Sequence, residues 1–136
     1  MQVSLANGER STSQLTGLVD TGADAVLASN LLTVELGVDL AENEGESQHA
    51  VGGRTLTARY KTVSLRLHPP EGVQEAHLEW QAKIGFVEDW HSDGLVLLGS
   101  IGFLDRFTVT ASRFAQGVAV EDRSAFDDRF GLVHAA

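Results

Sequence analysis

The chain has 136 residues, of which 43% are hydrophobic and none is cysteine, and its formal charge is −9 at pH 7. This length suits one domain whose core can fold without disulfides or a structural metal. The lack of cysteine excludes thiol nucleophiles and cysteine-bound zinc. Ten scattered Lys and Arg residues in an acidic chain do not favour nucleic acid or anionic lipid as a partner.

The chain carries no visible targeting or membrane signal. Its start alternates apolar and polar residues, without the basic segment and apolar block of a secretory peptide. The longest apolar stretch, residues 95–98, is too short to cross a bilayer. We therefore expect a cytoplasmic protein that does not contact membranes. The small number of Lys and Ile residues favours a bacterial source.

The first third of the chain is predicted to form a β-hairpin, whose second strand covers residues 14–20, followed by a short helix. Residues 3–6 alternate, and Asn7-Gly8 predicts a hairpin that returns as a strand over residues 14–20. Ser29 is a predicted N-cap of a short helix that stops at Gly37. Three leucines are expected on one face of this helix. They are Leu31, Leu32 and Leu36.

The middle of the chain is predicted to form a loop, a hairpin and a strand. Residues 42–48 are polar and acidic, which is typical of a solvated loop. Val51-Gly52-Gly53 marks the centre of a hairpin. The apolar alternation over residues 55–67 predicts a strand that ends at the proline-containing segment 68–72.

The second half shows further strand patterns. They predict a strand pair over residues 73–80 and 81–87, a loop over 88–94, a buried strand over 95–98, one or two helical turns over 101–107 and a strand over 108–120. We interpret residues 1–120 as one domain. Residues 121–136 form a tail that is an amphipathic helix, an exchanged interface segment or disordered.

The most informative segment is Leu18-Val19-Asp20-Thr21-Gly22-Ala23-Asp24. An apolar strand here enters a tight turn, which would hold a carboxylate at the end of a rigid element. The segment resembles the signature of the retropepsin-like (retroviral-type) single-domain aspartic proteases. Two further segments resemble that family in the same order along the chain. They are the glycine hairpin from Val51 to Tyr60 and the late strand Val96-Leu97-Leu98-Gly99 followed by residues 102–107.

The resemblance covers residues 3 to about 115 and implies a mainly β fold. The expected architecture is a retropepsin-like acid-protease β-barrel with one or two short helices, active as a C2 homodimer. Two carboxylates that share one proton can supply both the base and the acid for peptide hydrolysis. Only one Asp-Thr-Gly is present, so the second carboxylate must come from a second copy across a two-fold axis.

The resemblance also implies roles for individual residues. Asp20, Thr21 and Gly22 match the catalytic segment: Asp20 activates water, the Thr21 hydroxyl locks the paired turns across the axis, and Gly22 lets the backbone approach the substrate. The expected substrate-binding residues are Ala23, Asp24, the flap tip Val51, Gly52 and Gly53, and the pocket wall Trp90. In many relatives an Arg follows the late glycine and braces the dimer, whereas Ser100 and Ile101 stand here.

The function expected from this resemblance is that of an aspartic endopeptidase with a polypeptide substrate and no cofactor. The five histidines form no closely spaced ligand motif, so no metal site is expected. Asp, Thr and Gly are also ordinary residues of a strand-terminating turn. The alternative function is therefore a catalytically weak, dimeric peptide-binding or scaffolding module with the same fold.

Overall fold

The structure, a computed structural model, describes residues 1–90, 92 and 94–131, and for Val51 it describes only the backbone. These residues contain ten strands and two α-helices. The strands are β1 (Gln2–Asn7), β2 (Arg10–Ser11), β3 (Leu15–Val19), β4 (Val26–Ser29), β5 (Glu46–Val51), β6 (Arg54–Leu67), β7 (Leu78–Val87), β8 (Leu95–Leu98), β9 (Phe107–Ser112) and β10 (Gly117–Asp122). The helices are α1 (Leu32–Leu36) and α2 (Arg123–Phe130).

Six of the strands close into a barrel. Their order is β1-β3-β8-β4-β7-β6, and β6 pairs back with β1 from Leu67 opposite Val3 to Ser64 opposite Ala6. Strands β2 and β5 extend the sheet as hairpin partners of β1 and β6. Strands β9 and β10 form a separate two-stranded sheet. The prediction of a mainly β barrel with short helices is confirmed.

Strands β4 and β8 are apolar because they are buried on both faces. Val26 and Ala28 point into the main core together with Val96 and Leu98. Leu27, whose side chain lies on the opposite face of β4, belongs to a second apolar cluster. The other buried members of that cluster are Ala25, Leu56, Ala58, Val87 and Leu97. A strand covered on both faces reads as a continuous apolar run, which is the pattern of residues 95–98.

The predicted hairpins are present. Asn7 pairs with Arg10, and Gly8 lies at the turn with a φ of 62° that favours glycine. The chain then returns along β1 as β3, with Leu15 opposite Val3. The second hairpin joins β5 to β6 through Gly52-Gly53.

The short helix is present, but its predicted N-cap is wrong. Ser29 lies in β4, and its Oγ accepts a hydrogen bond from the backbone N–H of Leu31 at 3.2 Å. Helix α1 begins at Leu32 without a side-chain cap and ends at Gly37, as predicted. The exposed fraction of Leu31 is 57%, so this residue does not share the buried face of Leu32 and Leu36.

Three predictions in the second half are also wrong. Residues 73–80 and 81–87 do not form a strand pair, because one strand, β7, runs antiparallel to β6 from Ala58 opposite Val87 to Leu67 opposite Leu78. Residues 102–106 form turns rather than helical turns, and Gly102 has a φ of 101°. The single strand predicted over 108–120 is the hairpin β9–β10.

The described part of the tail starts with the last two residues of β10, which ends at Asp122, and is helical from Arg123 to Phe130. The Asp122 side chain accepts a hydrogen bond from the backbone N–H of Ala125 at 2.8 Å and caps α2, which ends at Gly131. Of the three alternatives for the tail, a helix is present over these residues, and none of its residues is buried. Residues 132–136 lie outside the described residues. No helix in the described part of the chain is both long and apolar enough to span a bilayer.

Candidate active site

Asp20 directly follows β3. In the sheet, β8 lies between β3 and β4. Strand β8 runs parallel to β3, with Leu98 opposite Val19, and it pairs with β4 through Leu97 opposite Leu27. The backbone N–H of Asp20 donates to the carbonyl of Leu98 at 3.1 Å. The turn between β3 and β4 therefore crosses the end of β8, and the Asp20 side chain is half-buried there.

The turn after Asp20 wraps around its carboxylate. The backbone N–H of Gly22 donates to Asp20 Oδ1 at 2.9 Å, and the N–H of Ala23 donates to the Asp20 carbonyl at 3.2 Å. A Cβ on residue 22 would lie 3.3 Å from Asp20 Oδ1, so glycine gives the carboxylate the most room. The hydrogen bond from Gly22 thus ties one oxygen of the Asp20 carboxylate to the turn.

Backbone hydrogen bonds from residues 100 and 101 hold this turn in place. The N–H of Ser100 donates to the Ala23 carbonyl at 2.9 Å, and the N–H of Ile101 donates to the Asp24 carbonyl at 2.9 Å. The Ile101 carbonyl in turn accepts from the N–H of Val26 at 3.1 Å. Main-chain groups alone make these three contacts. These hydrogen bonds do not depend on the Arg that the resemblance predicts after Gly99. The turn is therefore supported although Ser100 and Ile101 stand there instead.

A cleft of about 420 Å³ opens over Asp20. Its walls combine three parts of the chain: the turn, the apolar pair Leu27 and Leu97, and the end of the β5–β6 hairpin. The lining residues are Asp20, Gly22, Ala23, Asp24, Leu27, Gln48, His49, Ala50, Gly52 and Leu97. Four of the predicted site residues, together with Gly52 of the predicted flap, therefore lie around one cleft.

The hairpin over the cleft has a two-residue turn. Val51 pairs with Arg54, and the intervening Gly52 and Gly53 have φ values of 57° and 77°. Positive φ at both central residues is the requirement of a type I′ turn, which glycine meets at the lowest cost. We call residues 46–59 the Gly52-Gly53 hairpin.

Other predicted site residues do not line this cleft. The Thr21 side chain is exposed and makes no hydrogen bond within the described residues. Gly53 lies at the hairpin tip but is not part of the cleft wall. Trp90 lines a different cleft of about 280 Å³ with Asn30 and Glu88, and packs against the apolar cluster that contains Leu27 and Leu97.

His49 is part of the cleft wall, although it is not among the site residues that the sequence predicts. His49 Nε2 lies 2.6 Å from Ser47 Oγ and 2.9 Å from Tyr60 Oη, and the two hydroxyls lie 2.7 Å apart. The signal was the spacing of Ser47 and His49, since residues two apart in a strand share a face. The prediction of a loop over residues 42–48 is wrong from Glu46 onward, because β5 begins there, and a loop does not place Ser47 and His49 on one face.

The cleft is lined by two acidic residues, Asp20 and Asp24. Among the described residues, no three His, Cys, Asp or Glu side chains are grouped closely enough to hold a metal ion. His91 and His134 lie outside that part of the chain. A single copy of the chain therefore offers one carboxylate at the Asp-Thr-Gly position.

Comparison with known proteins adds no assignment to this site. The chain matches no protein-family model and no curated protein. Any functional interpretation therefore depends on the residues of the cleft and their geometry.

Proposed function

We propose that this protein is a retropepsin-like aspartic endopeptidase that hydrolyses peptide bonds with two Asp20 carboxylates from a homodimer. One observation carries the proposal: the Asp-Thr-Gly carboxylate lies at the end of β3, in a turn fastened over β8, inside a cleft bounded by a glycine-tipped hairpin. The Asp-Thr-Gly residues alone would fit an ordinary turn. Their position in the cleft is what favours catalysis.

The proposed reaction uses one ionised and one protonated Asp20. The ionised carboxylate accepts a proton from water while the water oxygen bonds to the peptide carbonyl carbon. The protonated carboxyl donates to the carbonyl oxygen, which gives a tetrahedral intermediate. The carboxyl that took the proton from water then passes it to the nitrogen as the carbon–nitrogen bond breaks. One hydroxyl of the intermediate returns its proton to the other carboxylate, so a carboxylic acid and an amine leave and the pair is restored. Like charges at short distance cannot both ionise easily, which keeps one proton on the pair.

The other site residues would position the substrate. Exposed Thr21 has a free hydroxyl that could bond to the partner turn across the two-fold axis. Ala23 and Asp24 line the cleft beside Asp20, where an extended peptide would lie. The Gly52-Gly53 hairpin would act as a flap that covers the peptide and excludes water, with Val51 at its tip. Trp90 would support the apolar floor from behind.

A peptide-binding or scaffolding module is the second candidate. It is favoured by the identity of residues 100 and 101, because Asp24 has no ion pair with an Arg in the described part of the chain. A dimer without that contact must be held by other surfaces. Such a module would bind peptides in the same cleft without cleaving them.

Mixing two kinds of chain tests the shared site. An excess of the Asp20→Asn chain should reduce the activity of the wild-type chain, because each mixed dimer holds one carboxylate. With random exchange at roughly tenfold excess, about a tenth of the wild-type chains remain in wild-type dimers, so their activity should fall about tenfold. The measurement is turnover of a fluorescence-quenched peptide after subunit exchange, with the mixed dimers detected by energy transfer between donor-labelled wild-type and acceptor-labelled Asp20→Asn chains.

The control is the same excess of an unrelated protein, which should not change turnover. Unchanged activity in the presence of demonstrated mixed dimers would contradict the shared dyad. Turnover by a chain that sediments as a monomer would do the same. A dimer that binds peptides without cleaving them would instead support the binding module.

A further inference from the structure

Three polar side chains at the base of the Gly52-Gly53 hairpin form a closed triangle of hydrogen bonds. Ser47 and His49 come from β5, and Tyr60 comes from β6. All three atom pairs, Ser47 Oγ with His49 Nε2, Ser47 Oγ with Tyr60 Oη, and His49 Nε2 with Tyr60 Oη, lie within 2.9 Å. The two contacts at Nε2 hold one edge of the His49 imidazole against the strands. We call these three residues the hairpin triangle.

The hairpin triangle favours one tautomer of His49. The two hydroxyls have two protons to donate, and both protons find acceptors inside the triangle only when His49 Nε2 accepts one of them. The ring proton of a neutral imidazole is then on Nδ1, since the hydrogen bond at one nitrogen sets the proton at the other. A protonated imidazole also carries a proton on Nδ1. In both forms Nδ1 is a hydrogen-bond donor.

Nδ1 has no partner within the described part of the chain, although His49 lines the Asp20 cleft. The groups around it differ in charge. Asp20 and Asp24 are acidic and share the cleft, and Gln48 is neutral. From β7, Lys83 Nζ lies 5.5 Å from the centre of the Tyr60 ring, and Lys83 is not among the residues that line the cleft. His49 is thus the one basic side chain that lines this cleft among the described residues.

We propose that His49 determines specificity by donating from Nδ1 to a carboxylate side chain, Asp or Glu, of the peptide held under the hairpin. This inference rests on the proposed function, because it names the substrate class of the same cleft. A hydrogen bond to a charged acceptor is roughly twice as strong as one to a neutral acceptor, so a carboxylate gains most from this donor. In its protonated form, His49 would also offset the repulsion that Asp20 and Asp24 impose on an acidic side chain. Ser47 and Tyr60 are positioning residues.

Matched peptide pairs test the proposal. Cleaved sequences are first mapped by mass spectrometry in a peptide library treated with the full-length chain. Synthetic peptides are then made with Glu or Gln at each position near the cleaved bond. At one position we expect kcat/KM to be about tenfold higher for Glu than for Gln, the difference typical of a hydrogen bond to a charged group. His49→Gln should remove this preference.

Two further variants separate specificity from structure. His77→Gln is the matched control, because His77 is an exposed histidine outside the cleft, and it should keep the preference. Tyr60→Phe keeps the ring and removes one hydroxyl of the hairpin triangle, so the preference should weaken while cleavage of the Gln peptide continues. If His49→Gln instead slows cleavage of the Glu and Gln peptides equally, His49 binds a backbone group or supports the fold, and the proposal is wrong.

Binding measurements distinguish this proposal from the proposed function. Asp20→Asn in the full chain should still bind the Glu peptide about tenfold more tightly than the Gln peptide in fluorescence anisotropy. The same preference in a wild-type chain that cleaves neither peptide would overturn the protease function and leave the recognition role intact. Equal binding of the two peptides overturns the role of His49 alone. Absence of binding to every peptide overturns both.

Discussion

Asp20→Asn is expected to lower kcat/KM for peptide cleavage about 10³-fold or more, the range for losing a general acid and base. The amide of Asn has nearly the shape of the carboxylate but can neither accept the proton from water nor return it to the leaving amine. The hydrogen bond from the backbone N–H of Gly22 can persist with the amide oxygen. The fold should therefore be unchanged.

Asp128→Asn provides the control for the change in charge. Asp128 is exposed on α2, far along the chain from the cleft, and its substitution should leave turnover unchanged. Steady-state kinetics on one quenched peptide, with thermal unfolding followed by circular dichroism for each variant, gives the comparison. If Asp20→Asn keeps wild-type turnover, the dyad mechanism is wrong.

Gly99→Ala is expected to reduce the free energy of unfolding by about 3 kcal/mol, the upper part of the usual range for overpacking. A Cβ at this position would lie 2.3 Å from the carbonyl oxygen of Ala25 and 2.5 Å from that of Ala23. Both atoms belong to the backbone of the turn that carries Asp20. They cannot move aside without disturbing the hydrogen bonds from residues 100 and 101. Urea denaturation measures the effect.

Gly94→Ala is the matched glycine control. A Cβ there would have no heavy atom within 4 Å, so stability should change by less than about 1 kcal/mol. The folded fraction of Gly99→Ala should also lose activity, because the turn that carries Asp20 must shift. Equal unfolding midpoints for the two variants would show that the turn accommodates a Cβ at residue 99 without losing stability. That result would contradict the close packing of Gly99.

The elements that were predicted correctly are those whose signals are local. Gly8 and the Gly52-Gly53 pair mark turns through their backbone freedom, and Gly37 ends α1 for the same reason. The apolar run of residues 95–98 predicted a buried strand because no solvated face interrupts it. The turn at Asp20 was likewise readable from three consecutive residues.

The predictions are wrong where pairing with a distant strand determines the local structure. Strand β7 continues through Trp80 and Gln81 because β6, paired along its whole length, provides a partner at each position. Ser29 remains in β4 because that strand pairs with β7, with Ser29 opposite Val87. Neither pairing is visible within a local window. The contact between His49 and Tyr60 depends on the register of β5 and β6 in the same way.

The main-chain support of the Asp20 turn has a consequence for how this sequence can diverge. Ser100 and Ile101 contribute peptide N–H groups, and both side chains are exposed, so any residue except proline can make the same bonds. Position 99, in contrast, admits only a residue without a side chain. Saturation mutagenesis of this tripeptide should therefore yield many folded sequences that differ at the last two positions and share the first.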